Sequence, residues 1–517
     1  MAELLQRRSL PGLSRASHTK WESSRLTTER RAPSDVVMLQ HETLVIDDAL
    51  INDLSQRLDV EVRISPETAR VQISTLIMDS RSITEGCLFA CVVGQNFDGH
   101  GFAREAIERG AAALLVDREL PFTTPQIIAD DVRSVLGELS ALVYGRPSDA
   151  MKVIGVTGTN GKTTVAQMLA AVFNAGGQKS AVIGTLEGDM TTPEAPLLQR
   201  RLRELHEDGV SVVAMEVSSH SLVQHRVKGT AFATAVFTNL GRDHLDLHGT
   251  QEEYFRAKSL LFTSHGVAQM IINDDDVHGR LLGDLSSDIG DVCRFSMSDI
   301  ENLQMAMGGS AFVLDGSSFR VHLPGRQNVE NALAVITCAR ALGVTDEVIA
   351  DGLESVQTVP GRMQMVSHDE IDAVVDFAHT PEALEALLRT CREIAPLRRL
   401  VVVFGCGGGR DRSKRPEMAA VAGKCADAVI VTSDNPRNED PDEIIAEICR
   451  GFSDATTAEW STEVDRAVAI RQAIVDAKAG DIVIIAGKGH ERYQEFASGK
   501  VEFDDIAHIR AATEARR

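Results

Sequence analysis

Short apolar runs alternate with stretches of helical periodicity through most of the chain. Val153-Ile154-Gly155-Val156 is one such run, and residues 165–173 follow with apolar positions at helical spacing, stopped by Gly176-Gly177. Residues 212–217, 233–237 and 270–272 are further strand candidates. A second series comprises residues 374–377, Leu400–Phe404, Ala428–Val431 and Ile482–Ala486. Unbroken apolar runs of this length fit strands buried on both faces, and strands separated by helical stretches predict an α/β fold with largely parallel sheets. Few long strands with alternating polar and apolar positions are expected. Each run ends in a polar or glycine-rich turn, the edge at which open α/β sheets hold ligands.

At roughly 100–200 residues per domain, 517 residues predict about three domains. The boundaries are placed near residue 150 and near residue 358, before Pro360-Gly361-Arg362. Residues 1–70 are expected to be a poorly defined extension plus the start of the first domain, which then runs over 71–150; the others cover 151–358 and 359–517. The first forty residues are polar and Arg-rich, and no apolar signal core follows Arg7-Arg8. No apolar run approaches the ~20 residues of a spanning helix, so no membrane insertion is expected. The net charge of -22 argues against a nucleic-acid partner. Eight cysteines without a CxxC pair fit a reduced, cytoplasmic compartment.

The chemistry begins at Gly158-Thr159-Asn160-Gly161-Lys162-Thr163-Thr164, between a predicted strand and a predicted helix. Backbone N–H groups in such a turn, together with the helix N-terminus, hold phosphate oxygens. Lys162 would reach the terminal phosphates of a nucleotide, and Thr163 would ligate Mg²⁺. Val156 stands where the strict GxxxxGK[ST] pattern has its first glycine. The loop alone indicates nucleotide phosphate and leaves hydrolase, kinase and ligase open.

The wording of this loop resembles the Mur ligases, and further motifs accumulate in that family's order across roughly residues 75–505. They are Met215-Glu216-Val217-Ser218-Ser219-His220, the stretch from Thr238-Asn239 to His248-Gly249, and Pro324-Gly325-Arg326-Gln327-Asn328-Val329-Glu330-Asn331. Pro360-Gly361-Arg362-Met363, Asp376-Phe377-Ala378-His379-Thr380-Pro381 and Gly487-Lys488-Gly489-His490-Glu491 follow. The resemblance implies a uridine-binding N-terminal domain, a central ATP-binding domain and a Rossmann-like C-terminal domain that receives an amino acid. It implies that ATP phosphorylates a substrate carboxylate, that an amine attacks the acyl phosphate, and that an amide, ADP and phosphate result.

Residue by residue, the resemblance makes Lys162, Glu216, His244, Lys258 and Arg362 catalytic. Thr163, Glu216 and His244 would hold Mg²⁺, together with Lys258 as a carbamate (N6-carboxylysine). Asn328, Asn331, Arg362 and Asp376, with His379 nearby, join the phosphate loop in binding ATP. A UDP-muramoyl dipeptide would meet Met78, Ser80, Gln95, Asn96 and Phe97 at its uridine end. Thr191, Thr192, Ser218, Gln224 and Arg226 would meet its muramoyl-peptide end. Cys87 and Met190 depart from the family at positions that commonly hold Asp and, in a relative, a contacting Asn.

Asp434-Asn435-Pro436-Arg437 follows a predicted strand and resembles the motif of the diaminopimelate-adding members; Arg410, Gly487 and Glu491 match the remaining contacts. Meso-diaminopimelate is lysine plus a distal carboxylate, and a planar guanidinium grips a carboxylate with two parallel hydrogen bonds. Charged hydrogen bonds of this kind contribute roughly 1.5–3 kcal/mol each, enough for strong discrimination against L-lysine. A structural ion pair for Arg437 is the alternative and would leave the amino acid open. Two other functions stay in view: another ligase of the superfamily, such as a folylpolyglutamate synthase, and a P-loop switch that makes no bond. The expected partners are small molecules, and the expected state is a monomer.

Overall fold

The computed structural model describes residues 43–516 apart from 67–69, 95–96, 189, 242–244, 369 and 454–455. The Arg-rich first forty residues therefore lie outside the described residues, as do His244, Gln95 and Asn96.

Strands β1 (Leu44–Ile46), β2 (Val62–Ser65), β3 (Val71–Ile73), β4 (Thr75–Ile77), β5 (Cys87–Ala90), β6 (Ala113–Val116) and β7 (Gln126–Ala129) open the fold. β1 pairs with β3, and the others form a sheet in the order β2-β7-β6-β5-β4, parallel except for β2. Regular elements begin at residue 44, within the stretch expected to hold an extension and the start of the first domain. Asp47 caps the helix Asp48–Leu58 by accepting from Leu50 N (3.1 Å), and Ile51 and Leu54 bury its inner face. The three-residue strands β1, β3 and β4 carry too little pattern to be read from sequence.

Strands β8 (Lys152–Thr157), β9 (Ser180–Ile183), β10 (Val212–Glu216), β11 (Thr234–Phe237), β12 (Gln269–Asn273) and β13 (Asp291–Phe295) form an all-parallel sheet, ordered β13-β12-β11-β8-β10-β9. Alternate side chains feed two cores. Ile154, Val156, Val212 and Ala214 pack on one face, and Val153, Val213 and Met215 on the other. That double burial is why these strands read as unbroken apolar runs.

Strands β14 (Ile300–Ala306), β15 (Gly309–Leu314) and β16 (Ser317–Val321) form an antiparallel three-stranded sheet, which corrects the expectation of few alternating strands. Phe312, Leu314, Phe319 and Val321 point into the core behind the helix Lys162–Ala175, while Glu301 and Arg320 face water. One face is solvated, so the pattern alternates.

The last large sheet holds β17 (Gln364–His368), β18 (Asp372–Asp376), β19 (Leu400–Phe404), β20 (Ala428–Val431), β21 (Glu459–Thr462) and β22 (Ile482–Ala486). Its order is β17-β18-β22-β19-β20-β21, and only β17 runs antiparallel. A hairpin of β23 (Tyr493–Phe496) and β24 (Gly499–Glu502) follows. Because β22 inserts between β18 and β19, the loops after β18, β19, β20 and β22 gather at one edge. Among the described residues no helix is long and apolar enough to cross a membrane.

Candidate active site

The phosphate loop joins β8 to the helix Lys162–Ala175. Gly158 (φ +155°) and Gly161 (φ +88°) adopt backbone conformations that side chains resist, and a Cβ would collide with Thr238 Oγ1 at the first and Asn331 Oδ1 at the second. The neighbouring strand end props the loop. Thr159 N donates to Asn239 O (2.9 Å), Asn160 N to Asn239 Oδ1 (2.9 Å), Thr238 Oγ1 to Asn160 O (2.6 Å) and Gly241 N to Thr159 Oγ1 (2.9 Å). Lys162 Nζ arches back onto the carbonyls of Gly158 (2.8 Å) and Thr159 (2.9 Å). Its ammonium is thereby held over the loop.

A cleft of about 640 Å³ opens above this loop. The whole loop from Thr159 to Thr164 lines it, with Glu216, Ser218, Thr191, Lys258, Asn328, Asn331, Arg362, Asp376, His379 and Arg410. The structure therefore brings nearly every predicted ATP residue to one place. Glu216 ends β10 and is 1 % exposed. Its Oε2 accepts from Thr163 Oγ1 (3.0 Å) and Thr185 Oγ1 (3.2 Å), and its Oε1 from Thr185 N (2.9 Å). Lys258, also 1 % exposed, donates to Gly158 O (2.8 Å) and lies 4.5 Å from the Tyr254 ring centroid. It is not the surface lysine its helix alone would suggest.

The opposite wall comes from the C-terminal region. Arg362 Nη2 reaches Thr163 Oγ1 at 3.4 Å, while its guanidinium sits 4.8 Å from the Phe377 ring centroid. Asp376 accepts from Met363 N (2.7 Å) and Ala378 N (2.8 Å). Burial pushes its carboxyl above the usual range, and Arg362 and the two amides oppose that. His379 turns its Nδ1 to Phe377 O (3.0 Å). Asn328 and Asn331 lie in the first turns of the helix Arg326–Ala341. Asn328 donates to Pro324 O (2.8 Å) and accepts from Asn331 Nδ2 (3.2 Å), so the pair is ordered side chain to side chain and is not a simple cap.

The donors around Thr163 suit a hard cation. A hydroxyl and a buried carboxylate meet at 3.0 Å, and both are oxygen ligands of the kind Mg²⁺ selects while it keeps waters and phosphate oxygens.

A larger cleft, about 1000 Å³, lies in the N-terminal region. Met78, Ser80 and Phe97 line it with Arg81, Arg133 and Glu194. Phe97 is 74 % exposed, an aromatic face held open to solvent. Asp79 caps the turn at Ser80, and its bonds from Arg81 bring its carboxyl down to about 2. Glu194 bonds Arg133 (3.0 Å) and Arg226 (2.9 Å), so this cleft continues into the second predicted group. There Thr192 Oγ1 donates to Glu216 O (2.9 Å) and accepts from Ser218 N (3.1 Å), and Arg226 Nη1 donates to Thr192 O (3.2 Å). Thr192 thus ties the wall together. Gln224 closes the short helix Ser219–Val223, and Met190 Sδ lies 3.7 Å from Arg226 Nη1.

The predicted amino-acid residues meet at the edge of the last sheet. Arg437 bonds Gly408 O through Nη1 (2.7 Å) and Glu495 Oε2 through Nε (2.9 Å). The ion pair weighed as an alternative is therefore real, yet it occupies only one edge of the guanidinium. Asn435 Nδ2 donates to Glu491 Oε2 (2.8 Å). The fully buried Lys488 ammonium donates to that same oxygen (2.9 Å) and to Asn435 Oδ1 (3.0 Å). Gly487 N donates to Asp376 O (3.1 Å), and Gln494 Nε2 to Asp434 O (2.8 Å). Pro436 accepts from Glu439 N (3.0 Å). Arg410 is exposed and lines the phosphate cleft. Beneath the pocket, fully buried Arg415 bonds Glu439 (2.9 Å) and Glu447 (2.7 Å).

Sequence reasoning missed Thr185, Lys488 and Glu495. Lys488 sits inside a quoted motif but carried no role. Thr185 and Glu495 gave no signal, because their partners lie 31 and 58 residues away.

Three family models match in chain order: Mur ligase family, catalytic domain (residues 72–144), Mur ligase middle domain (156–339) and Mur ligase, glutamate ligase domain (361–489). The UDP-N-acetylmuramoyl-L-alanyl-D-glutamate–2,6-diaminopimelate ligase of Geobacillus kaustophilus is 43% identical over 470 residues, covering 86% of this chain and 95% of that protein. The protein of the same name from Parasynechococcus marenigrum is 41% identical over 493 residues, covering 89% and 98%. A solved structure of a UDP-N-acetylmuramoyl-L-alanyl-D-glutamate–2,6-diaminopimelate ligase superposes with a TM-score of 0.63 at 35% identity, covering 86% of this chain and 95% of the other. With a phosphate loop, a facing arginine wall and three matched regions that together span most of its length, this chain belongs to the Mur ligase family.

Proposed function

We propose that this protein joins meso-diaminopimelate to UDP-N-acetylmuramoyl-L-alanyl-D-glutamate at the expense of ATP, giving the UDP-tripeptide, ADP and phosphate for peptidoglycan synthesis. The observation that carries this reading is the meeting of two regions over one loop. Arg362, from the start of the C-terminal region, reaches Thr163 of the phosphate loop, and the Arg437 pocket stands at the same sheet edge as Asp376. Residues 71–150 bind the uridine end, 151–358 bind ATP and 359–517 receive the amino acid.

A substrate carboxylate oxygen attacks the γ-phosphorus, and the bond to the β-phosphate oxygen breaks to release ADP. The amine then attacks the acyl carbon, loses its proton and expels phosphate. Loop amides and Lys162 hold the phosphates. Arg362 stabilises charge that develops in transfer, a donor worth on the order of 3 kcal/mol. Thr163 and Glu216 would hold Mg²⁺, with His244 completing the set by resemblance. When bound, the cation screens repulsion between carboxylate and γ-phosphate. Lys258 as a carbamate would exchange its ammonium for oxygen ligands beside Gly158. Arg437 takes the distal carboxylate of diaminopimelate, and Glu491 the distal ammonium. The protein works in the cytoplasm as a monomer.

The test is ADP release from ATP, Mg²⁺ and the UDP-dipeptide, with meso-diaminopimelate or L-lysine as the acceptor. Release that needs meso-diaminopimelate, with a product heavier by one residue, is expected. Preference for lysine would remove the Arg437 argument, and release independent of any amino acid would return the protein to a P-loop ATPase.

A further inference from the structure

Arg437 adopts a left-handed backbone (φ +53°), a conformation that is uncommon for a side chain of its size and needs support from its surroundings. Glu495 supplies that support at three points. Its carbonyl accepts from Arg437 N (2.9 Å), its carboxylate accepts from Arg437 Nε (2.9 Å), and its own N–H donates to Asn435 Oδ1 (3.0 Å). The hairpin strand β23 thus lies against the Asp434–Arg437 turn as a short parallel bridge, Arg437 opposite Phe496.

The side-chain bond decides where the guanidinium fork faces. Glu495 takes the Nε edge and Gly408 O takes one Nη1 hydrogen. Among the described residues Nη2 has no hydrogen-bond partner. The guanidinium is therefore fixed in plane, with its Nη side presented to a ligand. An arginine left alone at this surface would sample several rotamers and lose side-chain entropy on binding.

We propose that Glu495 is a specificity-determining positioning residue, which aims Arg437 at the distal carboxylate of the incoming amino acid. This rests on the diaminopimelate reading of Arg437 given above. Glu495 touches no reacting atom and acts only through Arg437. The competing physical possibility is that its negative charge merely weakens Arg437 as a carboxylate receptor. The two possibilities make opposite predictions, because an amide keeps the acceptor oxygen and loses the charge.

The experiment compares wild type, Glu495→Gln and Glu495→Ala in amino-acid-dependent ADP release, with separate KM values for meso-diaminopimelate, ATP and the UDP-dipeptide. If Glu495 aims the arginine, Glu495→Ala raises the meso-diaminopimelate KM roughly tenfold and cuts the preference over L-lysine by a similar factor. Its KM values for ATP and the UDP-dipeptide stay at wild type, and Glu495→Gln restores most of the loss. A lower meso-diaminopimelate KM in both variants, or no change in either, overturns the proposal. A uniform rise in all three KM values also overturns it, since that marks general damage. Wild-type release that ignores the amino acid would instead remove the parent reading, a result visible before any variant is measured.

Discussion

The phosphate cleft and the amino-acid pocket are built on the same kind of sheet edge but by different means. The phosphate loop is seven consecutive residues between one strand and one helix, and what it offers a phosphate is a row of backbone amides. The pocket proposed for the amino acid takes a backbone carbonyl from the loop after β19 and single side chains from the loops after β20 and β22 and from the following hairpin. Arg437 and the supporting Arg415 are held by charge pairs across 24 to 58 residues of sequence. Backbone cradles tolerate many nucleotides, whereas side-chain constellations select among amino acids. The difference separates what the family shares from what sets one member apart.

The largest effect is expected from breaking the shared part. Lys162→Ala lowers the rate of ADP formation by about 10²–10³-fold, as removal of a charge-stabilising donor does, while the fold stays intact by circular dichroism. An activity loss under tenfold would mean that loop amides suffice without the ammonium.

Breaking the selective part is more specific. Arg437→Ala raises the meso-diaminopimelate KM by roughly 10–10²-fold, equivalent to one or two charged hydrogen bonds, and leaves the ATP KM unchanged. Equal shifts in both constants would show that the two regions do not act separately.

Acid sharpens the contrast in a different way. Bonds from Arg415 bring Glu439 down from its ordinary 4.5 to about 2, and bonds from Arg412 do the same for Glu447. Folded carboxylates with lowered values give stability that is complete above the ordinary range and is lost as pH falls from about 4.5 through about 2. The loops at 405–410 and 434–437 rest on this cluster, while the phosphate loop rests largely on bonds that do not titrate. Hydrogen exchange at pH 3, corrected for intrinsic rates, is expected to rise more in those loops than in the helix Lys162–Ala175. A uniform response would count against the distinction.

The smallest effect is expected at the uridine end. Phe97→Ala changes stability by no more than about 0.5 kcal/mol, as exposed substitutions do, yet raises the UDP-dipeptide KM severalfold. A melting curve and a KM series from one preparation check both halves of that statement.

Legibility followed the same division. Leu400–Phe404, Ala428–Val431 and Ile482–Ala486 match their strands end to end, because burial on both faces writes a continuous apolar run. The glycines and lysine of the phosphate loop were legible because their geometry is local. The antiparallel sheet β14–β16 was not, since strands such as Ile300–Ala306 show one face to water and dilute their apolar signal with polar residues. The three-residue strands β1, β3 and β4 were too short to stand out. Glu216 and Lys258 were recognised by resemblance, but their burial came only from the structure, where β10 and the helix Gln251–Thr263 converge on Gly158 and Thr163.

Sequence by itself determined most of the inner strands of the two large sheets, the phosphate loop and the arginine proposed to separate diaminopimelate from lysine. Those features depend on residues adjacent in the chain or on the type of one side chain. Tertiary structure alone decided that Thr185 bonds Glu216, that Lys488 lies between Asn435 and Glu491, and that Glu495 orients Arg437. Each of those depends on which loops the strand order brings side by side, and a hydrogen bond between distant segments leaves no periodic trace in either one.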